Sequence, residues 1–193
     1  MAVRRNCFFA LLSIVAPAAY ASNDATTEDR NYAENYYVYT DLRDPLEPLL
    51  IVNDPDRKYV TRSDLLLSAT ISDNPSQKGP IILAFDWPHN VVFYLPEDFG
   101  PKMGEWTYQS CEYSIIGHRW GFRPTANREV HEYRIEQKCD DDANIVQYEY
   151  ADFYGLQSIV VGNRVQTNAT DSRFTIEDAY SLHAASFGFG ARN

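Results

Sequence analysis

Cys111 and Cys139 enclose the segment of the chain that is densest in aromatic and arginine residues. The third cysteine of the sequence, Cys7, lies in an apolar stretch near the N-terminus. In an exported chain, two lone cysteines on strand-like segments either side of a long loop are typical of one disulfide bond. Closing a loop of about 27 residues adds roughly 3 to 4 kcal/mol to the free energy of unfolding in the chain-entropy model. The spacing therefore predicts a domain stapled by a Cys111–Cys139 disulfide.

The first 21 residues have the three parts of a secretory signal peptide. Arg4 and Arg5 supply the positive start, residues 7–19 the apolar core, and residues 19–21 a cleavage site of small residues around a tyrosine. The apolar run is too short, and too soon followed by polar residues, to predict a membrane span. We therefore expect residues 1–21 to be a signal peptide and the protein to be secreted or periplasmic.

The remainder of the chain is long enough for one well-buried core. Residues 22–35 are polar and lack an apolar period, which predicts a flexible leader, and residues 36–193 are expected to form a single β-rich domain. The whole chain has a formal net charge of −10, and without the two signal arginines 15 basic residues stand against 27 acidic ones, a net charge of −12. Such a surface disfavours nucleic acid and anionic membranes as partners and is compatible with a cationic protein. Acidity also serves simply to keep an exported domain in solution.

Periodicity in the domain favours antiparallel strands. Residues 81–87 and 90–95 are rich in β-branched and aromatic side chains and predict a hairpin near the middle of a sheet. Residues 131–139 alternate, and the face that carries His131, Tyr133 and Cys139 is expected to be buried. We therefore expect a mainly β domain, either an antiparallel sandwich or a partly open barrel.

The last segment changes period. From Ile176 to Phe187, apolar and aromatic side chains recur at helical spacing. Thr175 suits the N-cap of a helix and Gly188 its C-terminal end. This pattern predicts one C-terminal α-helix over residues 176–187, packed on the sheet.

Residues 117–127 are turn-like in composition and hold most of the candidate binding side chains. The candidate binding residues are Arg119, Trp120, Arg123 and Arg128. Arginine binds anionic groups through two parallel hydrogen bonds, and an exposed tryptophan offers an apolar platform. The alternative is structural: the arginines at a hairpin tip pair with nearby carboxylates such as Glu129 and Glu132 and stack on Trp120.

No catalytic or metal-binding motif is present. The sequence lacks a Gly-x-Ser-x-Gly elbow, and a disulfide consumes both cysteines of the mature chain. The four histidines, His89, His118, His131 and His183, lack the i, i+4 spacing of a helical metal site. We therefore expect no metal and no cofactor. A carboxylate pair drawn from Asp86, Glu97, Glu105 and Glu112 is the one open route to hydrolysis.

These observations predict an exported, non-catalytic binding protein of the inhibitor or immunity type, which recognises a cationic protein partner. Two alternatives stay open. One is an exported hydrolase that acts on carbohydrate through a carboxylate pair. The other is a carbohydrate-binding module, in which tyrosines and the tryptophans Trp87, Trp106 and Trp120 form a platform for sugar rings.

Overall fold

The structure, a computed structural model, describes residues 36–54, 56–72, 79–86, 89–124, 127–140, 143–168, 171–182 and 188–191. The signal peptide and the leader predicted for the first 35 residues lie outside the described residues. Within the described ranges no helix occurs, and so none there is long or apolar enough to cross a membrane.

Thirteen β-strands make up most of the described chain. In chain order they are β1 Tyr36–Asp41, β2 Leu49–Asp54, β3 Arg57–Arg62, β4 Leu65–Leu67, β5 Ala69–Ser72, β6 Ile81–Asp86, β7 Asn90–Leu95, β8 Glu105–Tyr108, β9 Cys111–Arg123, β10 Arg128–Cys139, β11 Ile145–Ala151, β12 Gly155–Asn168 and β13 Asp171–Leu182. The predicted mainly β character is therefore confirmed.

The strands form two antiparallel sheets. Ten of them form one large sheet in the order β4-β3-β2-β1-β13-β12-β11-β10-β9-β8, and the other three form a small sheet in the order β5-β6-β7. The hairpin predicted over residues 81–87 and 90–95 is the pair β6–β7. It belongs to the small sheet, with β5, rather than to the middle of the large one. The two sheets share one core in a sandwich-like arrangement.

The small sheet is fixed to the large one by aromatic packing and by two polar side chains. Phe93 of β7 is fully buried, and its ring centroid lies 5.1 Å from that of Tyr148 on β11. The hydroxyl of Tyr113 donates to the carbonyl of Val92 at 2.8 Å, and the Val92 N–H donates to Oε1 of Gln137 at 3.1 Å. A buried amide or hydroxyl is stable only when it has such partners. These bonds therefore fix the position of β7 over β9 and β10.

The predicted disulfide is confirmed. Cys111 and Cys139 are directly opposed in the β9–β10 register, with their Cα atoms 4.0 Å apart and their sulfur atoms bonded. Both side chains are buried, as expected for the inward face of β10. The side-chain amide of Gln137 donates to Sγ of Cys139 at 2.8 Å. The disulfide thus closes the base of the β9–β10 hairpin.

The C-terminal α-helix predicted over residues 176–187 is wrong for the part that the structure describes, because Asp171–Leu182 is strand β13. Residues 183–187 lie outside the described ranges. A lone helix of this length is marginal in water. In contrast, β13 lies between β12 and β1 and gains backbone hydrogen bonds on both edges. Ile176, expected on the buried helical face, is 56% exposed.

Candidate functional site

β9 and β10 form a long hairpin whose outer half extends past the neighbouring strands. β8 pairs only with residues 111–114 of β9, and β11 pairs with residues 132–138 of β10. From Gly117 to Arg123, β9 therefore has β10 on one side and no strand of the described ranges on the other. We call residues 117–123 and 128–133 the distal hairpin.

The turn-like segment predicted over residues 117–127 is wrong, since β9 continues as a strand to Arg123. The chain reverses between Pro124 and Asn127, where the Asn127 N–H donates to the Pro124 carbonyl at 3.2 Å. Asn127 has a φ of 50°, a left-handed conformation that asparagine adopts more readily than most residues. Glycines indicate a turn by composition, but isolated glycines also occur within strands.

The strand register separates the side chains of the distal hairpin onto two faces, because directly opposed residues of a pair share a face. We call one side the aromatic face; its residues are His118, Trp120, Phe122, His131 and Tyr133, together with Glu129, which opposes Phe122. We call the other side the arginine face; its residues are Arg119, Arg123, Arg128 and Glu132. The predicted binding residues are therefore divided, with Trp120 on the side opposite the three arginines.

The aromatic face combines two exposed rings with a stack of inner ones. Trp120 is 64% exposed and Phe122 is 60% exposed. Nε2 of His118 lies 3.0 Å from Nδ1 of His131, and the two rings are nearly parallel at 7°. The His118 ring also stacks on Tyr133, with centroids 4.9 Å apart. The exposed rings therefore stand beside a layer of rings that continues into the protein.

Tyr133 anchors this layer in the core. It is buried, and its ring lies 4.8 Å from that of Phe99 and 6.4 Å from that of Tyr150. Burial, together with the nearby carboxylate of Asp152, raises the pKa of Tyr133 to about 12. Oδ1 of Asp152 also accepts a hydrogen bond from the His131 N–H at 3.1 Å. Residues of both β9 and β10 thus anchor the aromatic face to the rest of the protein.

The arginine face is built around one carboxylate. Nε of Arg119 and a terminal nitrogen of Arg123 each donate to a different oxygen of Glu132. Burial works to raise the pKa of Glu132, but the hydrogen bonds from Arg123 and Arg119 and their charges outweigh it, so that this pKa is lowered. Two of the three candidate arginines therefore already hold an internal anion, as the structural alternative describes. Neither lies on the face of Trp120.

Arg128 is placed apart from this pair. Its guanidinium carbon lies 5.6 Å from the centroid of the Phe153 ring, in the turn after β11. A cation over an aromatic face contributes about 0.5 to 1 kcal/mol at an exposed site. Arg128 thus ties the end of the hairpin to the neighbouring turn.

A shallow pocket of about 560 Å³ lies beside the arginine face. Its lining includes Gly117, Arg119, Arg134, Glu149 and Gln157. Gly117 lies directly under Arg134, since a Cβ added to Gly117 would come within 3.3 Å of the Arg134 guanidinium. Its lining combines these charged and polar residues with the aromatic side chains of Tyr133, Tyr150 and Tyr154.

Two of the four candidate carboxylates line a second pocket, of about 340 Å³. Glu105 and Glu112 line it together with Glu136. Glu136 is buried and is bound by Arg164 at 2.6 Å and by Lys138 at 3.2 Å. Asp86 and Glu97 do not belong to this lining. Glu105 and Glu112 are therefore the pair that the hydrolase alternative would use.

Other sequence candidates contribute less to a surface site. Nε1 of Trp106 donates to the Tyr94 carbonyl at 3.1 Å, and its ring stacks on Tyr113 at 5.4 Å. Trp106 is therefore packed against the core, and it also lines the second pocket. Within the described ranges, no three His, Cys, Asp or Glu side chains gather closely enough to hold a metal ion. Trp87 and His183 lie outside those ranges.

His118, Phe122, His131 and Tyr133 are not among the binding residues predicted from the sequence. A signal for them is nevertheless present, because aromatic rings occupy every second position from His118 to Phe122 and again from His131 to Tyr133. If both segments form paired strands, this alternation predicts that their rings lie on one face of the sheet. Comparison of the chain with protein-family models, with curated proteins and with solved structures found no match.

Proposed function

We propose that the protein is an exported, non-catalytic binding protein that recognises another protein through the aromatic face of the distal hairpin. The observation that carries the proposal is the exposure of Trp120 and Phe122 side by side on one face of the hairpin. Large aromatic side chains supply much of the binding energy at protein interfaces. Fully burying a phenylalanine contributes about 1.5 to 3 kcal/mol.

Two contacts that restrain the hairpin support this proposal. The disulfide closes its base, and the ring layer from His118 to Tyr133 connects its aromatic face to the core. A surface that is already ordered loses little conformational entropy when a partner binds. Trp120 and Phe122 are therefore presented by a fixed strand rather than by a loop that must order first.

The uneven distribution of charge favours a partner that has both a basic and an acidic surface. Residues 117–134 carry four arginines against two glutamates, whereas the whole chain has a net charge of −10. An acidic body attracts a cationic protein over a long range and raises the rate of association. At short range, the arginine face favours acidic side chains. We therefore propose a partner that is cationic overall, which accounts for the long-range attraction. Its contact segment is acidic, which matches the arginine face.

The disulfide and the signal-like N-terminus support export. Structural disulfides persist in oxidising compartments, so the Cys111–Cys139 bond is compatible with an extracellular location. Cleavage after Ala21 would release the mature chain to the periplasm or the medium.

A pull-down from the native source tests the proposed function. The baits are the mature chain, a Trp120→Ser/Phe122→Ser variant, and a control Val165→Ser/Ile176→Ser variant whose exposed apolar residues lie on β12 and β13. We expect one protein in stoichiometric amount on the mature chain and on the control, and its loss from the first variant. Equal retention by all three baits would show that the aromatic face is not the binding surface.

A second candidate, carbohydrate hydrolysis, is favoured by the convergence of Glu105 and Glu112 in one pocket. Release of reducing sugar from a panel of polysaccharides tests it, with Glu105→Gln and Glu112→Gln as matched variants. Turnover by the wild type and its loss in both variants would support hydrolysis. Retention of a glycan without any product would instead indicate a carbohydrate-binding module.

A further inference from the structure

We infer that the partner binds by adding an extended strand to the free edge of β9, from Gly117 to Arg123. This inference rests on the proposed function and specifies its mode of recognition. Over these residues β9 has no strand of the described ranges beside it. In an antiparallel pair, alternate residues direct their N–H and C=O groups away from the partner strand. Within the described part of the chain no strand pairs with these outward groups, so an incoming segment can bind them.

The open part of β9 differs from the two strands that terminate the large sheet. Those end strands are short, with three residues in β4 and four in β8. Short edge strands, lysine and proline are common means by which proteins protect a sheet edge from unwanted pairing. Residues 117–123 contain no lysine and no proline. Arg119 and Arg123 are the charged residues of this edge, and both bind Glu132 of β10, so that two exposed guanidinium groups face one carboxylate.

The arginine face of this edge has room for the side chains of a partner strand. Gly121 lies there between Arg119 and Arg123, whereas the guanidinium of Arg134 covers Gly117. A Cβ added at Gly121 would meet no atom within 4 Å, so the space beside it is open. Opposite charges on neighbouring strands attract. Acidic side chains of the incoming strand are therefore the best match on this face.

The aromatic face favours apolar side chains in the partner strand. His118, Trp120 and Phe122 line it along the same edge. Apolar side chains of the added strand would cover the exposed rings of Trp120 and Phe122. Because side chains alternate between the two faces of a strand, the matching ligand is an extended segment in which acidic and apolar residues alternate. Main-chain hydrogen bonds provide affinity in this kind of binding, and alternate side chains provide specificity.

A second copy of this chain is a poorer occupant of the edge. Two β9 strands that pair about a twofold axis would place arginines of one copy near arginines of the other on the same face. Like charges on directly opposed strands are destabilising. The arginine content of the edge therefore favours a different, acidic chain.

The test uses synthetic peptides of about eight residues, the span of a typical edge pairing. One peptide alternates glutamate and valine, and the control has the same composition with the glutamates and valines in separate blocks. Amide hydrogen exchange of the mature protein is measured by NMR at low salt. We expect the alternating peptide to slow exchange in residues 117–123 by about tenfold or more, and the block peptide to leave it unchanged.

A pair of substitutions at Gly121 tests the side-chain chemistry in the same assay. The open space at Gly121 accommodates both Gly121→Lys and Gly121→Glu. We expect the lysine variant to bind the alternating peptide more tightly than the wild type, and the glutamate variant to bind it about tenfold or more weakly, because each adds charge beside the acidic strand.

Three results would overturn strand addition. They are the absence of binding by the alternating peptide, binding that leaves exchange in residues 117–123 unchanged, and protection of these amides in a dimer of the free protein. None of them decides the proposed function, which stands or falls on the capture that depends on Trp120 and Phe122. The two proposals therefore fail in distinguishable ways.

Discussion

Tyr39 and Phe189 are joined by a hydrogen bond across 150 residues of sequence, in which the Phe189 N–H donates to the Tyr39 hydroxyl at 3.2 Å. The same hydroxyl donates to the Leu156 carbonyl at 2.8 Å. Tyr39 and Phe189 are both fully buried. One side chain of β1 thus holds the start of β12 and the segment after β13 together.

Tyr39→Phe removes only the hydroxyl group, but we expect it to be strongly destabilising. The substitution leaves a buried N–H and a buried carbonyl without this partner, and each unsatisfied group costs about 1 to 3 kcal/mol. We expect the free energy of unfolding to fall by about 2 to 4 kcal/mol in urea titrations. Tyr94→Phe, on the small sheet, is the matched control. A loss no larger than that of the control would contradict the role of the Tyr39 hydroxyl.

Removal of the disulfide should loosen the distal hairpin and lower the melting temperature. For Cys111→Ala/Cys139→Ala we expect a loss of about 2 to 5 kcal/mol. A loss of 3 kcal/mol corresponds to a decrease in Tm of about 6 to 12 °C for a domain of this size. A reductant should shift the wild type by a similar amount and leave the variant unchanged. An effect of reductant on the variant would mean that the shift has another cause.

Glu132→Gln should release the two arginines of the arginine face at little cost to stability. The pKa of Glu132 is lowered, so its contribution is present at neutral pH and is lost only as pH falls through that lowered pKa. Because Arg119 and Arg123 are substantially exposed, we expect a loss of about 1 kcal/mol or less.

The same variant should bind the alternating acidic peptide more tightly, since both guanidinium groups lose their internal anion. Glu129→Gln removes the same charge from the opposite face and is the control. Calorimetric titration at two salt concentrations compares the variants. Equal affinities for the two variants would show that the arginine face does not contact the peptide.

Alkaline pH should destabilise the protein through its buried tyrosines. Burial raises the pKa of Tyr180 to about 12, although the guanidinium of Arg62 works against the shift. Tyr133 has a similar pKa, and burial raises those of Tyr39, Tyr113 and Tyr148 in the same direction.

A folded-state pKa above the unfolded value near 10 means that the folded protein holds the phenolic proton more tightly. The stability conferred by these groups is complete below about pH 10 and is lost as pH rises toward 12. Unfolding free energies measured at rising pH should show this decline, with a smaller slope for Tyr180→Phe. A pH-independent free energy over this interval would contradict the prediction.

Local signals predicted part of the fold. The cysteine spacing and the alternation in β10 predicted the Cys111–Cys139 pair and its inward position, and two apolar runs predicted the β6–β7 hairpin. These features depend on residues close in sequence. The strand β13 does not, because its neighbour β1 lies at the other end of the described chain. Helical spacing after Ile176 was therefore overridden by pairing that no local pattern reveals.

Only some residues of the candidate site were predicted from the sequence, and their arrangement was not. Arg119, Trp120 and Arg123 do lie on one exposed hairpin, but a turn was expected where a strand runs. Once β9 is a strand, the alternation of its side chains places Trp120 opposite the arginines, and the register brings Glu132 to Arg119. The contact between His118 and His131 needs that register as well. Composition alone does not supply it.

The pairing of β1 with β13 joins two series of neighbouring strands in the large sheet. β1 to β4 form one meander of neighbouring strands and β8 to β13 form another, so each grows from contacts that are short in sequence. The seam between them joins strands from opposite ends of the described chain, and the entropy of closing so long a loop must be lost before the contacts form. We therefore expect slow refolding with a late phase, in which two preformed halves of the sheet close along a single line of hydrogen bonds.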